Sequence, residues 1–227
     1  MDQRQRARRS SRAARRPLPH HNQAMSSPST ASALPGLRSP AVGFEQPFEM
    51  LGACHERVQR SLDLLARLVE HLRQRAAAAT LDRTDGSGVV DANARSAATD
   101  VARYFNLAAP QHHLDEERHV IPRLQRSDQP ALQAAAAQML ADHAQIEAIW
   151  SRLAPLLAAV ATPAGASVAP APDLAALAAA AEDFIALHAR HLPLEDGLAF
   201  PAARQGLDET ALAAMGREMA LRRRPSA

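Results

Sequence analysis

The sequence predicts an all-α fold: an up-down-up-down four-helix bundle with a disordered arginine-rich N-terminal tail and a short C-terminal helix. Three observations predict it. Aromatic residues make up only 3% of a chain whose hydrophobic content is 47%. A core built from Leu, Ala, Val and Ile favours helices over a β-sandwich. Four stretches repeat apolar residues at steps of three and four, the period of one helical face. Modest connections join them, and the simplest packing of four such stripes is a bundle.

Residues 1–43 read as a disordered basic tail. The first forty residues hold eight arginines against a single acid, Asp2, and show no hydrophobic period. The chain has no lysine, and its pI near 9.4 belongs to this tail, because residues 41–227 carry more acids than bases. No aromatic residue interleaves with the arginines, which argues against a surface that stacks nucleic-acid bases. A dispensable tail, an arginine arm and a transit peptide are the readings of the segment.

Residues 44–205 are expected to form the bundle. The first stripe is Leu51, His55, Val58, Leu62, Leu65, Val69 and Leu72, on a helix over 48–77. A loop follows over Thr80–Val90, marked by Asp85-Gly86 and Gly88. The second helix spans 91–125 and carries Val101, Phe105 and Ala108, with a kink or break expected at Pro110 and another at Pro122. Ser127 or Asp128 can cap the third helix, over 129–160, with its stripe at Leu132, Ala136, Met139, His143, Ile146, Trp150, Leu153 and Leu157. A Pro/Ala linker covers 161–172. Asp173 caps the fourth helix, over 173–204, with Leu174, Leu177, Ala181, Phe184, His188, His191, Glu195 and Leu198 in its stripe. Residues 206–227 form a short closing helix and tail.

Composition also excludes several classes. No charge-free apolar run reaches the ~18 residues of a membrane span, and no secretory core follows the N-terminal arginines. The single cysteine, Cys54, rules out an internal disulfide and a multi-thiolate metal site. A cytoplasmic protein without membrane partners is expected.

Histidine recurs in the apolar stripes. A buried imidazole or carboxylate without a partner costs a few kcal/mol, so a bundle carrying several of each needs something to neutralise them. A metal pair does so directly. His112 and Glu116 are four apart, as are His191 and Glu195. On a helix that offset is about 40° round the axis and one turn along it, so both side chains face one centre. The first and third helices add His55 and His143. Imidazoles and carboxylates together suit iron or manganese.

The run PQHHLDEERHVIP (110–122) resembles the HHxxEExxLFP signature of hemerythrin-like (HHE cation-binding) domains, and HLPLEDGLAFP (191–201) resembles the matching fourth-helix signature. The resemblance covers roughly 44–205. It implies six ligands, His55, His112, Glu116, His143, His191 and Glu195, to a pair of non-heme iron ions. It further implies a small diatomic partner, O2 or NO, or iron handled as cargo for sensing, storage or delivery. The alternative is a di-iron enzyme or iron-centre repair protein of the nitric oxide and oxidative stress response. No substrate pocket or acid/base pair can be read from the residues. The pattern departs from the oxygen carriers, which have HxxxH on the third helix where this chain has His143 and Glu147. They also place an aspartate five residues after the fourth-helix histidine, which here is Asp196, with Glu195 at four. His113 and Glu117 repeat the spacing of His112 and Glu116. The signature places 112 and 116 at the metal and His113 at the rim, but the stripe does not decide the register, because Pro110 breaks its phase. His188 reads either as support for the site or as packing, and His71 as solvated.

Overall fold

The computed structural model describes residues 42–82, 88–163 and 172–223. The expected tail, apart from its last two residues, the centre of the first loop and most of the Pro/Ala linker lie outside the described residues. Among the described residues every regular element is helical. They are α1 (Pro47–Leu81), α2 (Ala92–Leu107), α3 (Ala109–His119), α4 (Ile121–Gln125), α5 (Pro130–Ala161), α6 (Leu174–Leu194), a π-helical turn (Glu195–Ala199), α7 (Phe200–Arg204) and α8 (Glu209–Arg222).

Prolines set most of the boundaries. Pro47, Pro110, Pro122, Pro130 and Pro201 each lie in the first turn of a helix, where the missing N–H would have had no partner. The expected second helix is therefore three. Its first break falls at Ala108, so Ala108 is exposed and Ala109 is buried, reversing the expected facing. Asp91, Asp173 and Asp208 cap α2, α6 and α8 by accepting from the N–H groups of Ala94, Ala176 and Ala211. The cap of α5 is Gln129, which makes no side-chain cap bond; Ser127 accepts from the Gln129 N–H instead.

α1 packs on α2 and α6, and α5 packs on the same two, closing a ring of four neighbours. Two apolar clusters fill it. One gathers Val58–Leu72 of α1, Ala94–Phe105 of α2, Ile146–Val160 of α5 and Leu177–Leu187 of α6. The other gathers Phe48 and Leu51, Val120–Leu124, Leu132–Met139, Ala199–Ala203, and Met215 and Met219 of α8. Between them in sequence, on every one of these strands of chain, stand the buried polar residues His55, His112, Glu116, His143, His191 and Glu195. A polar layer is thus closed above and below by hydrocarbon.

The fourth-helix stripe holds to Glu195 and then fails. Leu198 is 37% exposed, and Ala199 and Phe200 are buried in its place. The π-helical turn is the cause, since it takes an extra residue into one turn and rotates everything after it. α8 lies against the start of the chain's described part: the Phe44 carbonyl oxygen occupies the space a Cβ on Gly216 would need, so only glycine fits there.

Candidate metal centre

The six residues of the polar layer converge on two adjacent points. His55, His112, Glu116 and Glu195 bring one ligand atom each within 4.8 Å of one another, and so do Glu116, His143, His191 and Glu195. The two carboxylates belong to both groups. Glu116 turns Oε1 toward His112 Nε2 (3.0 Å) and His55 Nε2 (3.7 Å), and Oε2 toward His143 Nε2 (3.2 Å). Glu195 turns Oε1 toward His191 Nε2 (2.9 Å) and His143 Nε2 (3.7 Å), and Oε2 toward His55 Nε2 (3.2 Å). The distances repeat in pairs when α1 is exchanged for α5 and α3 for α6.

These contacts are close but are not hydrogen bonds. The Nε2 atoms of all four histidines and all four carboxylate oxygens are buried without a hydrogen-bond partner. Eight such atoms left unpaired would cost more than the net stability of most domains. Their spacing has another explanation. Two donors about 2.1 Å from one first-row metal ion, at right angles around it, stand about 3 Å apart. The nitrogen and carboxylate donors suit first-row ions such as iron or manganese.

Supporting groups hold the rings. Asp196 Oδ1 accepts from His55 Nδ1 at 2.8 Å, and Glu117 Oε1 accepts from His143 Nδ1 at 2.9 Å. Each fixes its ring with Nε2 facing inward. These two carboxylates directly follow Glu195 and Glu116, so each of these helices sends one carboxylate inward and the next to the back of a neighbour's histidine. Asp142, also buried, lies 3.4 Å from His191 Nδ1 and is held by Arg190 at 2.6 Å.

The electrostatics of the polypeptide by itself follow. Burial disfavours charge on His55, but Asp196, Glu116 and Glu195 outweigh it and raise its pKa to about 11. His143 is likewise opposed by burial and raised to about 10, by Glu116, Glu195 and Glu117. Glu116 is pushed up by burial and by Glu195, yet the histidines hold it down at about 2. Glu195 moves the same way, against burial, through His143, His191 and His55. His113 goes down to about 3 through burial and the neighbouring His143.

The two candidate pairs of α3 face differently. His112 and Glu116 are buried in the layer, while the Glu117 side chain is 39% exposed and reaches only the back of His143. His113, expected at the rim, is half-buried, with its ring stacked on that of His143 at 4.1 Å and 9°. His188 packs: its Nδ1 donates to the Phe184 carbonyl at 2.8 Å, and its ring lies against Phe184 and Phe105. His119 pairs with Glu218 at 2.7 Å, and His71 pairs with Asp91 at 3.0 Å. Glu147 lies outside the layer, on the wall of a cleft of about 590 Å³ that sequence reasoning did not find. Phe105, Ile146, Trp150, His113 and His143 also line it. Its walls come from α2, α3, α5 and α6, and no single stripe announces it.

Residues 46–203 match the family described as "Hemerythrin HHE cation binding domain". The chain is also 28% identical over 181 residues to an uncharacterized protein of Haemophilus influenzae (strain ATCC 51907 / DSM 11121 / KW20 / Rd), covering 79% of this chain and 91% of the relative. No helix among the described residues is long and apolar enough to cross a membrane.

Proposed function

The chain belongs to the hemerythrin HHE cation-binding family, and from that premise we propose that it is a non-heme di-iron protein built on an up-down-up-down four-helix bundle. It binds O2 or NO, or iron itself, for sensing, storage or delivery. One observation carries the reading: four imidazole nitrogens and four carboxylate oxygens, all buried, converge at about 3 Å without hydrogen bonding to one another.

In this reading His55 and His112 would hold one ion and His143 and His191 the other, with Glu116 and Glu195, which belong to both groups, serving both. Two carboxylates shared in this way would offset the repulsion between two close divalent charges in a water-poor layer. The metal supplies reversible binding of a small ligand or one-electron chemistry, and the polypeptide supplies geometry and exclusion of water. Asp196 and Glu117 orient rings, and the two apolar clusters seal the layer. A cytoplasmic setting follows from the same reading. The test is anaerobic Fe(II) titration with iron content and visible absorption measured on the loaded protein. Two ions per chain are expected, with Glu116→Ala and Glu195→Ala each losing one or more. A parent chain that takes up fewer than two ions sinks the proposal.

The second reading, a di-iron enzyme or repair protein of the nitric oxide and oxidative stress response, is favoured by the cleft beside His113 and His143. Its volume of about 590 Å³ exceeds what a diatomic molecule needs and falls in the range of organic ligand sites. Consumption of peroxide or NO by the iron-loaded chain, compared with free iron, separates the two readings.

A further inference from the structure

We propose that the cleft between α3 and α5 binds a small organic cation, an ammonium group carried on a flat apolar body. This gives a ligand class to the cleft that favours the second reading, but it concerns binding alone and needs no turnover at iron.

Two helix faces form the walls. On α5, Leu140, His143, Glu147 and Trp150 follow one another at steps of three and four. Opposite them, Ala109, His113 and Glu117 step by four along α3. Ala109 and Ala144 are too small to close the gap between the walls. One end is aromatic. Trp150 meets Phe105 and Phe184 with ring centroids at 5.2 and 5.5 Å. Its Nε1 donates to Asn106 Oδ1 at 2.9 Å, which ties the indole to α2. On the side of the polar layer the cleft is lined by the stacked rings of His113 and His143.

Charge selects among ligands. The acids among the lining residues are Glu117 and Glu147, and none of the lining residues is an arginine. The chain has no lysine. Glu117 gives Oε1 to His143, and any charge on His143 is met by that carboxylate and by Glu116 and Glu195 in the layer. Glu147 is exposed, lines the cleft and has no hydrogen-bond or ion-pair partner among the described residues. The cleft therefore offers one unpaired negative charge beside three aromatic rings. An anion would meet repulsion there with no positive charge in return, and a neutral ligand would leave the carboxylate unused. An ammonium group answers both features, since a cation is drawn to aromatic faces as well as to carboxylates.

The experiment titrates the full chain with benzyltrimethylammonium, which has no lone pair with which to bind a metal. Calorimetry measures the affinity, and the fluorescence of Trp150, the chain's single tryptophan, locates the site. Benzyl alcohol and phenylmethanesulfonate are the neutral and anionic counterparts. The cation should saturate one site, change the Trp150 emission and bind roughly tenfold more tightly than either counterpart. Glu147→Gln should weaken it roughly twofold to fivefold, as befits a charge pair open to solvent, and Glu147→Arg by roughly tenfold or more. Glu182→Gln, which changes an exposed acid of α6 paired with Arg73, should leave it unchanged. Melting curves show that each variant is intact. A cation that does not saturate, counterparts that bind as tightly, or parental affinity in Glu147→Arg overturns the assignment. An iron-loaded chain that consumes neither peroxide nor NO overturns the second reading instead.

Discussion

Glu117 and Asp196 stand behind His143 and His55 at 2.9 and 2.8 Å, in matching roles. Glu117→Gln and Asp196→Asn should each weaken metal binding by roughly 10–100-fold while leaving the stoichiometry at two, measured by chelator competition. A variant that keeps parental affinity would remove that carboxylate from the design. The inward residues His55, His112, Glu116, His143, His191 and Glu195 were legible because each shares a stripe or a four-residue offset with another. Glu117 and Asp196 were not, because their partners are 26 and 141 residues away in sequence and lie on other helices. The consecutive acid pairs, Glu116-Glu117 and Glu195-Asp196, were the only local trace. The signature put His113 at the rim, about 100° from His112 on the helix, but gave no sign that its ring stacks on His143 of another helix.

The closing helix α8 does more than end the chain. Asp115, buried beside Glu116, is held by Arg222 and by Arg223, the latter at 2.5 Å. Removing both arginines leaves that carboxylate buried and unpaired, so Arg222→Ala with Arg223→Ala should destabilise the fold by about 3–5 kcal/mol in thermal or chemical denaturation. Glu218 adds a weaker, pH-dependent contact. Desolvation raises its pKa, but Arg222, His119 and Arg118 together outweigh that and hold it at about 2, against an unfolded value near 4.3. A carboxylate depressed in the fold stabilises above its unfolded pKa and loses that contribution as pH falls through its folded one. Between pH 5 and pH 2 the melting temperature of the parent should therefore fall more than that of Glu218→Gln, though modestly for a contact this open to solvent. None of this could be read from the 3.6-residue pattern, which marks apolar faces and says nothing of which arginine finds which acid. The pattern did mark all four long helices, and it misplaced Ala108 and Leu198 where a break and a π-helical turn reset the phase.

Over the whole molecule, two hydrocarbon clusters enclose one polar layer, and stability is divided between them. Leu65, fully buried in the larger cluster, should cost about 2–5 kcal/mol when changed to alanine. The layer contributes through mass action: an ion that binds only the folded chain adds about 2.7 kcal/mol at a hundred times its Kd. Strong chelation should lower the melting temperature of the iron-loaded protein. Acid should release the metal as the imidazoles take up protons. Identical melting curves with and without chelator would remove the metal from the stability of the fold. The helical class was visible in the low aromatic content and the stripes. The sealing of the layer was not, because it depends on Phe200, which stacks on His55 at 5.0 Å, and on Met215 and Met219 of α8, which reach the second cluster from the far end of the chain.

The π-helical turn has a consequence for chain length. One extra residue is stored between Glu195 and Ala199, so the helix is one position out of step across it. Gly197 lies in that turn, exposed, with nothing beyond its own turn of helix within 4 Å of where a Cβ would stand. Deleting it would move Ala199 into the slot seven residues after His191, the inward slot of an unbroken α-helix, with Phe200 beside it. A one-residue deletion, which elsewhere in a packed helix would swing every following side chain by about 100°, should here merge α6 and α7 into one regular helix. The shortened chain should melt close to the parent in the metal-free state, whereas deletion of Ala144 in the middle of α5 should not fold. Loss of folding on deletion of Gly197 would mean that the bulge itself holds the structure together.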